Sequence, residues 1–249
     1  MTQKTPKRLK QDAIIEALCE IRFKTDAVPE VVVGRLSDAW EYTNQTRLPT
    51  ADIPNPIRMQ DPNLKHTPVL QLNLKDPEHL VKVGSNVISY HVLNNYCGWN
   101  LFHQKLKGLC DVLFEKIPNI EVTRIGFRYL NAVTSTKHGI KSFHDLNLEL
   151  KVDSIPITGS TNINYINQYG PQHVAMTRIA SIEFVEGGHL PKNTVGFIDI
   201  DISTPINFSS KSQKEVFRWI DDAHDYEKLS FFKLIPKKQL DKIVAEWEE

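Results

Sequence analysis

Long apolar runs are missing from this sequence. No stretch of the 249 residues approaches the roughly 18 consecutive apolar residues that a membrane-spanning helix needs. The lysine-rich start, residues 1–11, lacks the apolar segment of a signal peptide. We therefore expect a cytoplasmic protein that does not associate with membranes.

Cysteine is scarce, and its three positions have no paired spacing. Cys19, Cys97 and Cys110 lie within apolar patterns, so we expect reduced core residues rather than disulfides or zinc-finger ligands. The nine histidines lack the spacing of a zinc protease. Two short glycine loops, at residues 158–161 and 186–189, lack the lysine of a phosphate cradle. The sequence thus predicts no metal ligand, no cofactor and no catalytic residue.

An excess of charge of one sign is also absent, since 30 basic residues face 30 acidic ones. This balance argues against a dedicated non-specific nucleic-acid binder, which depends on many phosphate contacts. Lys4, Lys7, Arg8 and Lys10 form a local basic cluster, which we interpret as a solvated tail. Nucleic-acid binding through a local patch is not excluded by this argument.

Two strands stand out in what the sequence does contain. Residues 123–133 are rich in β-branched and aromatic side chains on both faces, which predicts a central strand covered on both sides. Gly126 inside it indicates a bulge or the close approach of another backbone or a ligand. Residues 14–23 alternate between apolar and charged side chains, which is typical of a half-buried strand.

Around these strands the pattern predicts an α+β fold with antiparallel sheets and helices packed on one side. Asp26 is expected to cap a helix, and residues 47–68 to form a proline-rich connection with at most a short strand at 57–59. Three short strands follow, then a helix that ends before Pro118. The order strand, helix, meander, helix then recurs, which suggests two similar halves, 1–118 and 119–249.

In the second half we expect four strands, at 148–152, 163–169, 174–184 and 194–202. We also expect a helix capped by Ser209, Ser210 or Ser212, and a last helix from Pro236 through Trp247.

Four segments in combination resemble a sporadically distributed bacterial family of uncharacterised proteins of about this length. They are Ile14-Ile15-Glu16-Ala17-Leu18-Cys19-Glu20-Ile21-Arg22-Phe23, Tyr96-Cys97-Gly98-Trp99, Arg124-Ile125-Gly126-Phe127-Arg128-Tyr129-Leu130-Asn131, and Asp221-Asp222-Ala223-His224 before Phe231-Phe232. The resemblance covers nearly the whole chain and implies an accessory or defence-related gene. It supplies no catalytic residue.

The most suggestive polar residues are Asp199 and Asp201, which share one face of a predicted strand. Two such carboxylates can bind a divalent cation or perturb each other's pKa. The alternative, which we favour, is that they pair across the sheet with Arg124, Arg128 or Arg22.

A second acidic cluster, formed by Asp221, Asp222, His224 and Asp225, falls on one predicted helix. Asp221 and Asp225 are four residues apart and face one way, which would suit a metal or an acid-base site. No second set with matching spacing completes the coordination, so a solvated helix face is the favoured interpretation.

These observations favour binding over catalysis. We expect a non-catalytic protein of a bacterial accessory system, antitoxin-like or regulatory, whose polar sheet face or proline-rich connection docks a protein partner encoded nearby. The rival is a nucleotide- or nucleic-acid-processing enzyme, with a metal on Asp199 and Asp201 and phosphate on Arg124 and Arg128. Self-association through a free strand edge at residues 87–92 is a third hypothesis.

Overall fold

The computed structural model describes residues 6–185 and 190–247, and within them one large antiparallel sheet carries packed helices on one face. The strands are β1 (Pro6–Leu9), β2 (Ile14–Lys24), β3 (Tyr42–Arg47), β4 (Leu70–Leu74), β5 (His79–Val83), β6 (Val87–Leu93), β7 (Glu121–Thr134), β8 (Lys151–Val152), β9 (Ile155–Pro156), β10 (Asn162–Tyr169), β11 (His173–Ala180), β12 (Thr194–Ser203) and β13 (Val244–Trp247). The α-helices are α1 (Pro29–Ser37), α2 (Asn55–Gln60), α3 (Trp99–Lys116), α4 (Ser135–His138), α5 (Gln213–Leu234) and α6 (Lys237–Ile243). The predicted α+β class is confirmed.

The nine-stranded sheet has the order β10-β11-β12-β7-β2-β6-β5-β4-β3, with β2 and β7 at its centre. In each half, the last strand of the antiparallel meander pairs with the first strand of that half. In the first half β6 pairs with β2, and in the second half β12 pairs with β7. The boundary proposed at residue 118 falls between α3 and β7. Because one sheet runs through both halves, and because α4 has only four residues where the first half has α1, internal duplication stays a prediction.

Alternating side chains of the central strands form the core beneath α1, α3 and α5. Ile21 and Phe23 of β2 and Ile125 and Phe127 of β7 are fully buried on this face. Burying one such side chain stabilises the fold by about 1.5–3 kcal/mol. The helices contribute an apolar stripe each, and that of α3 consists of Phe102, Leu106, Leu109, Cys110 and Leu113.

Several local expectations are wrong, and tertiary context explains them. β7 is central, but its second face is polar and half-buried rather than covered. The cap position of α1 is Val28, and Asp26 accepts a hydrogen bond from Asn119 instead. Residues 57–59 belong to the short helix α2. The strand expected at 148–152 is only the two-residue β8.

The cap predicted for α5 is confirmed at Ser212, whose side chain accepts a hydrogen bond from the Glu215 amide.

The two ends of the described chain form a small sheet of their own. β1 pairs antiparallel with β13, so Lys7, Arg8 and Lys10 lie in or beside a strand instead of a solvated tail; Lys4 lies outside the described residues. The helix expected to continue to Trp247 ends at Ile243, because residues 244–247 take strand geometry against β1.

The strand edge proposed for self-association does not exist. β6 is hydrogen-bonded to β2 on one side and to β5 on the other. The edges of the sheet are β3 and β10. None of the described helices is both long and apolar enough to cross a membrane.

Candidate functional site

The five charged residues singled out from the sequence lie on the helix-free face of the central strands. Arg22 is on β2, Arg124 and Arg128 are on β7, and Asp199 and Asp201 are on β12. The period of two residues along a strand places them on one face. We call this surface the polar sheet face.

Arg128 and Asp199 form the best-defined ion pair on the polar sheet face. The guanidinium donates from Nε to Oδ1 at 2.7 Å and from its terminal nitrogen to Oδ2 at 2.6 Å. This bidentate arrangement matches the planar fork of arginine to the carboxylate. Asp199 is only 8% exposed, and its hydrogen bonds raise the pKa of Arg128 above its ordinary value.

A second group of charges is centred on Glu20. Arg22 and Arg124 oppose each other directly in the β2–β7 register, an arrangement that like charges disfavour. Glu20 Oε1 offsets the repulsion because it accepts from Arg22 Nε at 2.7 Å and from Arg124 at 3.3 Å. Arg124 also approaches Asp201 at 3.8 Å.

Gly126 has a specific place in this group. A Cβ at this position would lie 2.8 Å from a guanidinium nitrogen of Arg124, which is closer than real Cβ atoms approach other groups. The close neighbour of this glycine is the Arg124 side chain, which lies along its own strand, whereas the prediction named another backbone or a ligand.

The charges of the polar sheet face are thus paired with one another. The pairing predicted for the two aspartates is present with Arg128 and Arg124, whereas Arg22 pairs with Glu20. Burial raises the pKa of Asp201, against the opposing effect of Arg124 and Arg128. Among the described residues, no group of three or more His, Cys, Asp or Glu side chains is placed to hold a metal ion. The geometry gives the enzyme rival no support at these residues.

A concave site lies on the other face of the sheet. A cavity of about 560 Å³ is bounded by β1 and β13, by the start of α3, by β7 and by α5. Its walls include five aromatic rings, those of Tyr96, Trp99, Tyr129, Phe231 and Phe232. We call it the Glu227 pocket, after the residue discussed next.

Glu227 is the unusual member of this lining. It is 3% exposed, and its Oε1 has no hydrogen-bond partner. Burial raises the pKa of Glu227 to about 8, although the Asn131 side chain and Lys228 oppose the rise. At neutral pH this shift favours the protonated form of the carboxyl group. A buried polar atom without a partner costs about 1–3 kcal/mol and calls for an explanation.

Two tyrosines and an asparagine surround the same space. Tyr96 and Tyr129 share a hydrogen bond of 2.7 Å between their hydroxyl groups. Burial raises the pKa of both hydroxyls, so both stay protonated. Asn131 is 1% exposed, and its amide donates to the carbonyl oxygen of Ile198 at 3.3 Å.

His224 belongs to this pocket and not to a solvated helix face. Its ring stacks on Trp99 with 3.7 Å between centroids and 6° between planes, and burial lowers the pKa of His224. His103 takes Asp221 as a partner at 2.7 Å. The acidic cluster expected on one helix is therefore divided between two environments.

The first turn of α3 forms one wall of the pocket. Gly98 precedes it with φ of 83°, a conformation that glycine adopts without strain, and no side chain caps the helix. Gly98, Trp99 and Asn100 all line the cavity. Trp99 is the first residue of this turn, and its ring stacks on His224 of α5.

A wider cleft of about 1020 Å³ lies at the other end of α3. Its lining combines charged residues such as Arg35, Lys116 and Lys211 with apolar residues such as Phe114 and Ile117. None of the buried unpartnered polar atoms found in the described residues belongs to it. It therefore lacks the feature that distinguishes the Glu227 pocket. The glycine loop at 158–161 is exposed, and the one at 186–189 lies outside the described residues.

Sequence reasoning missed Glu227, although one signal was available. The buried stripe of α5 contains Val216, Ile220 and Ala223, and Glu227 occupies the next position of that stripe. A carboxylate at a core position of an amphipathic helix is rarely buried without a partner. All four segments that carry the family resemblance contribute residues to the pocket.

Comparisons with known proteins add no identification. A scan against protein-family models returns no match for this chain, and a search of curated protein sequences returns none. The case for a function therefore depends on the geometry described above.

Proposed function

We propose that this chain is a binding protein that holds a small polar molecule in the Glu227 pocket. The observation that carries the proposal is the unpartnered carboxyl oxygen of a 3% exposed glutamate that lines a 560 Å³ cavity. Ligand sites are typically concave and mostly apolar, with a few polar groups that fix orientation. Tyr96, Tyr129, Asn131 and Glu227 are such groups within aromatic walls.

The proposal keeps the non-catalytic role predicted from the sequence and gives it a place in the fold. The family resemblance favours a regulatory component of a bacterial accessory system in the cytoplasm. In such a component the bound molecule would act as the signal. Ligand binding stabilises the folded state by an amount that grows with ligand concentration.

A thermal-shift screen with a library of small metabolites tests this function. Asn100 is exposed at the pocket wall, so Asn100→Trp should obstruct the cavity at little cost to folding. We expect at least one compound to raise the unfolding temperature of the wild type and not that of Asn100→Trp. The proposal is wrong if no compound does so, or if every shift is equal in the two proteins.

A protein partner is a second candidate, and an apolar spot on the polar sheet face favours it. Ile166 and Met176 are paired in the β10–β11 register and are 69% and 50% exposed. Exposed apolar side chains of this size often belong to binding surfaces. The residues 47–68, the other predicted docking element, instead fold into a helical turn and α2.

Co-expression with the neighbouring genes, followed by a native-mass measurement, tests this second candidate. We expect a stoichiometric complex that Ile166→Asp abolishes and Asn100→Trp leaves intact. A lone chain, or a complex unaffected by Ile166→Asp, would remove the polar sheet face from consideration. A doubled mass of the chain alone would instead show self-association.

A further inference from the structure

The chemistry around the Glu227 pocket narrows the class of molecule that fits it. This inference rests on the proposed function, because it concerns the ligand of that same site.

The walls are rich in aromatic rings. Tyr96, Trp99, Tyr129, Phe231 and Phe232 all line the cavity. The faces of aromatic rings attract cations, and the attraction is strongest where water is excluded. An apolar ligand would also be accepted by such walls, so the polar groups must decide between the two.

The lining of the pocket carries more carboxyl groups than cations. Three cations line the cavity, and each has an acidic neighbour there. Lys7 pairs with Glu246 at 2.7 Å, Arg8 acts electrostatically on Asp12, and Lys228 lies 4.0 Å from Asp225. Glu227 is the fourth carboxyl group of the lining, and Lys228 acts electrostatically on it as well.

Glu227 has the position expected of an anchor. It lies on the same helix as His224, whose ring fixes Trp99, and its Oε1 is without a hydrogen-bond partner. A buried carboxylate is strongly stabilised by a cation at hydrogen-bonding distance, and such charge-assisted bonds are about twice as strong as neutral ones. The neutral amide of Asn131 cannot supply that charge.

We propose that the Glu227 pocket binds an organic cation, a primary ammonium or guanidinium group on a short apolar stem, with the positive charge paired to Glu227 and the stem against the aromatic walls. The bound cation would favour the ionised carboxylate, so the carboxyl proton leaves to solvent as the complex forms. The uncapped first turn of α3 would favour an anion at the same wall, which makes the charge of the ligand the quantity to test.

Calorimetric titration of the full chain at pH 7 provides the test, with three probes of similar size: butylammonium, butyramide and butyrate. We expect butylammonium to bind at least tenfold more tightly than the other two. Titration in phosphate and in Tris, which differ in ionisation enthalpy, should show the release of about one proton per bound cation.

The variants separate anchoring from folding. Glu227→Gln keeps the shape and removes the charge, and we expect it to weaken butylammonium binding at least tenfold. Glu41→Gln removes an exposed carboxylate outside the pocket lining and should change the affinity less than twofold. Urea denaturation of each variant shows whether it is folded.

The possible results distinguish the two proposals. If butyramide or butyrate binds as tightly as butylammonium, and Asn100→Trp abolishes that binding, the pocket function holds and the cation proposal is wrong. If Glu227→Gln is folded and binds butylammonium as well as the wild type does, the anchor is wrong. If none of the three probes binds, the cation proposal is wrong, and the metabolite screen decides the pocket function separately.

Discussion

The two faces of β7 differ in whether their polar side chains have hydrogen-bond partners. On the polar sheet face, Arg128 meets Asp199 in a bidentate pair and Arg124 meets Glu20. On the helix-covered face, a few residues away, the neighbourhood of Tyr129 and Asn131 contains a carboxyl oxygen with no partner. Internal pairing satisfies the first group of charges and leaves little capacity for a ligand. The second group contains a carboxyl oxygen without a hydrogen-bond partner, that of Glu227. This difference makes the pocket the better candidate for ligand binding.

The largest expected effect concerns Glu227 and pH. Its pKa rises from an ordinary 4.5 to about 8 on folding, so between these values the unfolded chain releases a proton that the folded chain keeps. Stability should therefore fall as pH rises, by about 1.4 kcal/mol per pH unit from this group alone, and level off above pH 8. Glu227→Gln should remove that slope.

Urea denaturation of both proteins at intervals from pH 5 to pH 9 measures this effect. Asp12, His224 and Asp225 also line the pocket, but they are the same in both proteins, so the difference between the two stability curves isolates Glu227. Parallel stability curves for the wild type and the variant would show that Glu227 is ionised in the folded protein.

The second effect tests the pairing on the polar sheet face. Arg128→Ala leaves the 8% exposed Asp199 without its guanidinium, and we expect a loss of about 2 kcal/mol, below the usual value for a buried pair because Arg128 is partly exposed. Asp199→Ala in the same chain should recover part of the loss. Chemical denaturation of the wild type, the two single variants and the double variant gives the coupling energy between Arg128 and Asp199. Strictly additive losses of stability would contradict the pairing of these two side chains.

The third effect concerns the two tyrosines of the pocket. Tyr96→Phe or Tyr129→Phe breaks the 2.7 Å hydroxyl pair and leaves one buried hydroxyl without its partner, at a cost of about 1 kcal/mol. The double variant removes both hydroxyls and should cost little more than either single one. Thermal denaturation measures all three, and a double loss equal to the sum would mean that the hydroxyls act independently.

The smallest effect sets the scale for exposed charges. Lys75 and Glu41 form an ion pair at 3.0 Å in which both side chains are largely exposed. Lys75→Ala should cost less than about 0.5 kcal/mol, and the difference should vanish in high salt, since solvent screens such pairs. If Lys75→Ala lost as much stability as Arg128→Ala, buried and exposed ion pairs would contribute equally, which would contradict this expectation.

The sequence predicted those elements whose pattern is local. The alternation in β2, the apolar stripe of α3 and the Ser212 cap of α5 depend on neighbouring residues, so each was recognisable. The β1–β13 pairing was not, because Val244 to Trp247 continues a helical stripe until a distant strand competes for it. Glu227 was missed because its lack of a partner depends on what three other elements place around it. The polar sheet face was visible in Asp199 and Asp201, but only the register shows which arginine each one meets.

The small sheet over the pocket has a consequence for how the protein is made. Lys7 and Glu246, which are 239 positions apart, form an ion pair across it. During synthesis on a ribosome, β1 emerges well before β13, the strand with which it pairs. The strands of the central sheet emerge between the two and can assemble before β1 and β13 meet. Contacts of such long sequence separation also form slowly. A nascent chain can therefore hold most of its core before the pocket closes, and a ligand added during translation would meet an unfinished site.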